Sequence, residues 1–140
     1  MLIDMIVFRQ VIEDFLTTNF DLCPVKKENL PLPSDANGKG PKEWLAIFDV
    51  PAFNDSLGMG EEATHMGGNL IIQIFVPLNT GTARIRFLAK TLNDLFVDEE
   101  SFQDITFSPG ILSPAPKGEQ WYQANLTIPY SVIMGQETYC

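Results

Sequence analysis

Residues 67–96 read GGNLIIQIFVPLNTGTARIRFLAKTLNDLF. Leu70, Ile72, Ile74 and Val76 fall on one side of an extended segment, and Ile71 and Phe75 on the other, with Asn69 and Gln73 between apolar positions. Side chains alternate along a strand, so both faces of this one are largely apolar, which suits the interior of a sheet rather than its edge. The Gly67-Gly68 pair marks a break before it. Pro77 lacks an amide donor and ends the pairing. Asn79, Thr80 and Gly81 supply a turn, and Thr82 is placed to cap a helix. Ile85, Leu88, Ala89, Leu92, Leu95 and Phe96 then recur at three- and four-residue steps, making one apolar stripe, with Arg84, Arg86, Lys90, Asn93 and Asp94 off it.

Upstream, residues 2–18 read as a helix whose apolar face holds Met5, Phe8, Ile12 and Phe15, widened by Val11 and Leu16, while Arg9, Gln10, Glu13 and Asp14 face away. Prolines and glycines make residues 24–42 a loop. Residues 43–50 form a strand ending at Pro51, with Trp44, Ala46, Phe48 and Val50 on one face and Leu45 and Ile47 on the other. Residues 53–68 read as a long glycine- and methionine-rich loop, a length that in compact domains usually marks function or mobility. Downstream of the second helix come an acidic exit (Asp98, Glu99, Glu100), a short strand near 104–108 with Ile105 and Phe107 inward, and a partly extended loop at 109–118. The last strand alternates Tyr122, Ala124, Leu126, Ile128 and Tyr130 with Gln123, Asn125 and Thr127. Residues 134–140 read as a loose tail. The order predicts a single α+β domain over 1–140, a two-layer sandwich with two helices on one face of a sheet of about four mixed or antiparallel strands. The polar face of the last strand is left to solvent or a neighbouring subunit, and Trp44, Trp121, Tyr122 and Tyr130 are expected in the core before an interface.

The 140 residues are 45% hydrophobic, enough for one packed core. No apolar run approaches the ~20 residues of a membrane helix, and MLIDMIVFRQ lacks the features of a secretory leader. Two cysteines, Cys23 and Cys140, do not suggest a disulfide framework. The net charge of −9 argues against nonspecific DNA binding, which rests on cationic contacts to phosphate; on charge alone the acids serve solubility first, and an acidic wall that repels passing DNA is the second reading.

No catalytic arrangement is evident. His65, the only histidine, has no cysteine placed to pair with it, and there is no Gly-x-Ser-x-Gly elbow. Gly38-Lys39-Gly40-Pro41 lacks the spacing of a phosphate loop, and Gly58-Met59-Gly60 lacks that of a dinucleotide fingerprint. One histidine and scattered acids do not make a metal site. No cofactor or metal is expected.

Taken together, the N-terminal helix, the proline-rich loop, the strand EWLAIF (43–48), the strand GNLIIQIFVP (68–77), the Gly-Thr turn with the helix GTARIRFLA (81–89), and the closing strand WYQANLTIPY (121–130) resemble the tail terminator (tail completion) proteins of long-tailed phages. The resemblance implies a non-enzymatic virion protein at the head-proximal end of the tail, assembled in the host cytoplasm. It implies a ring, typically of six copies, that stops tail-tube polymerisation, faces a head-completion or connector protein, and lets DNA through its hole without specific binding or any membrane contact. On that basis Asp55, Met59, Glu61, Glu62 and His65 are candidates for a loop facing the lumen or the tube. Arg84, Arg86, Gln123, Asn125 and Thr127 are candidates for the inter-subunit contact. The methionine-rich length of 53–68 departs from the family pattern. The alternatives are another neck protein, such as an adaptor or head-closure component, and a small cytosolic ligand-binding α+β domain, which requires a pocket with converging polar groups.

Overall fold

The computed structural model describes residues 5–26, 43–56, 63–79, 81–97, 105–114 and 121–135, with backbone alone at 5–7, 53–56, 63–64 and 133–135. Two helices, α1 (Met5–Asn19) and α2 (Ala83–Val97), pack on one sheet. Its strands are β1 (Val25–Lys26), β2 (Trp44–Ser56), β3 (Ala63–Pro77), β4 (Ile105–Phe107), β5 (Ile111–Pro114) and β6 (Trp121–Gly135). Across the sheet the order is β1-β2-β3-β6, with β4 and β5 end to end along the outer edge of β6. β1 is parallel to β2, and the other pairings are antiparallel. The chain is therefore α+β with the helices on one face. Its sheet has six strands among the described residues rather than about four, because two short edge strands form where loops were expected.

β3 sits at the centre as its two-sided apolar pattern requires. It pairs with β6 without a break from Ala63↔Gly135 to Pro77↔Trp121, and with β2 from Ser56↔Thr64 to Trp44↔Phe75. Leu70, Ile72, Ile74 and Val76 face the helices and are at most 1% exposed. They meet Leu45 and Ile47 of β2, Leu126 and Ile128 of β6, Phe8, Ile12 and Leu16 of α1, and Ile85, Leu88, Leu92 and Phe96 of α2. Each such side chain contributes about 1.5–3 kcal/mol through burial. The turn after Pro77 uses left-handed backbone at Asn79 and Gly81. The amide of Arg86 then donates to the carbonyl of Thr82, which starts α2.

Four sequence expectations fail on the backbone. The loop at 53–68 contracts: β2 runs on through Pro51 to Ser56 and β3 begins at Ala63, leaving 57–62 outside the described residues. Pro51 and the two glycines do not stop pairing because the register shifts between Pro51 and Phe53. There the β2 backbone presses so close that a Cβ on Gly68 would lie 2.3 Å from the carbonyl oxygen of Val50. The glycine allows a bulge instead of marking a break. The expected tail at 134–140 is likewise strand as far as Gly135, because β6 continues along β3; residues 136–140 lie outside the described residues. Val25–Lys26 within the expected loop 24–42 joins β2, and residues 27–42 lie outside the described set. Residues 111–114 pair with β6 as β5.

A side-chain expectation on α1 also fails. Arg9 does not face away. It donates to the Asp49 carboxylate at 2.7 Å and to the carbonyl oxygen of Ile47 at 2.8 Å. Asp49 falls on the helix-facing side of β2 after Leu45 and Ile47, so it needs a cation there. The Tyr130 hydroxyl donates to the other Asp49 oxygen at 3.5 Å, and its ring lies 4.8 Å from that of Phe8.

Tyr130 and Cys23 are both buried. Burial first, and the Asp49 charge second, push the Tyr130 phenol up to about 12. Burial, with Glu43 adding to it and Arg84 opposing it, pushes the Cys23 thiol up to about 12. Both groups are thus held neutral in the fold and ionise more readily when unfolded. Their contribution is intact below the unfolded values of about 9 and 10 and is lost as pH rises towards 12. Urea melts are expected to show stability falling between pH 9 and 12, with a shallower fall in Tyr130→Phe. A second expectation concerns the bulge: Gly68→Ala lowers the unfolding free energy by roughly 1–3 kcal/mol, read from the urea midpoint, because backbone cannot rotate out of the way.

Candidate functional site

The helix-free face of the sheet is built by the odd positions of β3 and their neighbours in register. One row runs Trp44, Phe75, Gln123; the next Ala46, Gln73, Asn125, Ser113; the next Phe48, Ile71, Thr127, Ile111; the last Val50, Asn69, Pro129. The second row continues into β1 at Lys26, in register with Ala46, which is the charged residue of these rows. Trp44 stacks on Phe75 with ring centres 3.9 Å apart, and the Trp121 ring meets Trp44 edge-on at 5.7 Å. Val50 is 43% exposed and Ile111 68%. The indole nitrogen of Trp44 is buried with no acceptor among the described residues. Sequence reasoning put both tryptophans in the core; instead they lie on the uncovered face, because Leu45 and Ile47 take the inward positions of β2. Tyr130 does enter the core, and Tyr122 packs against it. The signal was available in Asn69 and Gln73, polar residues that a doubly covered strand would not place on one side of β3.

Gln123, Asn125 and Thr127 sit on this open face, where the Gln123 amide donates to the Asn125 side-chain oxygen at 3.0 Å. Arg84 and Arg86 are on α2, on the opposite side of the sheet. The five candidate interface residues therefore form two surfaces rather than one. Arg84 is already engaged: its guanidinium forks onto Glu43 with contacts of 2.6, 3.1 and 3.1 Å. Those hydrogen bonds raise its pKa and keep it charged. The same guanidinium lies 5.5 Å from the centre of the Phe87 ring, which is 50% exposed. Neither Glu43 nor Phe87 was singled out from the sequence. Arg86 is exposed, and Lys90 reaches Asp94 at 3.0 Å.

Of the other candidates, Asp55 and His65 face each other in register near the end of the β2–β3 hairpin, and Met59, Glu61 and Glu62 lie outside the described residues. Among the described residues no three acids, histidines or cysteines group as metal ligands, and no helix is long and apolar enough to cross a membrane. A cavity of about 220 Å³ opens beside the turn, lined by Pro77, Leu78, Asn79, Gly81, Thr82 and Tyr122. Its walls carry no carboxylate, imidazole or thiol.

The chain matches no family model and no curated protein. Among solved structures, one whose name describes no function is similar at a TM-score of 0.60 and 16% identity, over 95% of this chain and 92% of that one. At that identity the likeness shows a shared fold and nothing about activity.

Proposed function

We propose that this chain is a structural virion protein that assembles into a ring, of six copies, on the end of a phage tail tube. There it stops tube growth and offers the surface for joining the head. The observation that supports this reading is the sheet face that no described helix covers: an aromatic surface with no acid in its central rows, on a chain of net charge −9. A monomer in water gains nothing from leaving Trp44, Phe75, Phe48 and Ile71 there, whereas an oligomer buries them. In this reading the β2–β3 hairpin, with Asp55 near its described end, extends towards tube or lumen, where acids repel passing phosphate. A ligand-binding domain would need polar groups converging on a cavity; the lining beside the 77–82 turn has Asn79, Thr82 and Tyr122 but no described carboxylate, imidazole or thiol.

Light scattering, on the chain alone and then with polymerising tail-tube protein, tests this. The expected result is a ring, or a smaller species that arrests tube growth at one end. Tubes of unaltered length distribution would rule the terminator role out and point to a head-side partner.

A further inference from the structure

We propose that the partner on the uncovered sheet face is the outer face of α2 from a second copy of this chain, so that each copy gives its helix to one neighbour and its sheet to the next. The proposal rests on the self-assembling reading above and names the two surfaces that meet.

Charge selects the pair. With 18 acids against 9 lysines and arginines, two copies repel over most approaches. The four central rows of the open sheet face carry no acid at their described positions, and their charge is Lys26 at the β1 edge. α2 carries three of those nine cations, Arg84, Arg86 and Lys90, of which Arg84 is shared with Glu43 and Lys90 with Asp94, so the outer helix surface sets no unpaired acid against a neighbour. These two surfaces let acidic chains come together without setting acid against acid. Apolar exposure selects the same pair. The exposed large hydrophobics include Phe87 at the centre of the outer α2 face and Val50 and Ile111 on the open sheet. Chemistry fits as well: indole and phenyl faces attract guanidinium and ammonium groups, and α2 already shows this pairing internally between Arg84 and Phe87. The geometry makes the contact head-to-tail. The outer α2 surface and the open sheet lie on opposite sides of a two-layer molecule, so they cannot satisfy each other within one chain. Repeating the contact produces a closed ring or a filament, whereas a sheet-to-sheet contact stops at a dimer.

Complementation tests it. Phe87→Asp spoils the helix surface and Ile111→Lys the sheet surface, and both side chains are at least half exposed, so the fold tolerates them; Arg86→Asp and Val50→Lys repeat the test independently. By light scattering the wild type is expected above the one-chain mass of 15.6 kDa and each variant at that mass. Their equimolar mixture is expected at twice it, because the intact helix of one still fits the intact sheet of the other. A Phe87→Asp chain with wild-type mass, a mixture left at one-chain mass, or a wild type at one-chain mass throughout its soluble range would each overturn the joint. Tube capping read in the same samples separates the two ideas. Capping unaffected by Phe87→Asp overturns the joint and leaves the terminator role standing. Complementation without any effect on the tube keeps the joint and removes that role.

Discussion

The structure depends on one strand being satisfied on both edges at once. β3 is fifteen residues long, and each edge is paired over almost its whole length. Its backbone donors and acceptors are therefore met within the sheet, as burial demands. Because side chains alternate, a slip of one residue would exchange Leu70, Ile72, Ile74 and Val76 for Asn69, Ile71, Gln73 and Phe75 beneath the helices. The two polar residues in that second set make the slip costly, so the pattern of β3 also specifies the register of β2 and β6.

Hydrophobic packing holds the helices to the sheet but does not say where along it they sit, since it is non-directional. Polar contacts supply the position. Arg9 ties α1 to Asp49 and the Ile47 carbonyl of β2. The Asn93 side chain accepts from the Gly110 amide, fixing the middle of α2 to the chain entering β5. The rings of Phe15 and Phe96 meet between the two helices at 5.3 Å. The helix layer is thus located by a few directional bonds over an apolar contact, while the other face of the sheet has no such layer of its own among the described residues.

The helices and the central strand were legible because their periodicities are long and clean; only a residue or two separates the expected ends of α2 from Ala83 and Val97. Phe8, Ile12 and Leu16, and the inward set of β6 from Ala124 to Tyr130, follow from the same spacing. What was not legible depends on distant partners. Pro51, Gly67 and Gly68 carry the local signature of a loop, and only the pairing of β2 and β6 with β3 turns them into a bulged hairpin. Residues 111–114 and 25–26 are too short to show a period and become strands through the edges they meet. The inward and outward faces of β2 look equally apolar, so the sequence of that strand cannot say that Trp44 is outside. Arg9 reads as a solvent residue until Asp49, forty positions on, is brought beneath it. On the candidate interface, the residues of β6 were recognisable as open, but their separation from Arg84 and Arg86 by the thickness of the sheet follows only from the topology.

The fork between Arg84 and Glu43 has a consequence for accuracy of assembly. It spans from the first turn of α2 to the residue beside Trp44, and so links the helix surface directly to one corner of the sheet surface. In a chain that adds head to tail, small angular errors at each joint accumulate around the circle, and the last gap closes only if the angle between donor and acceptor surfaces is held from copy to copy. A two-pronged, charge-assisted contact resists rotation about its own axis in a way a single hydrogen bond does not. In the head-to-tail assembly proposed above, it would brace the two halves of the joint.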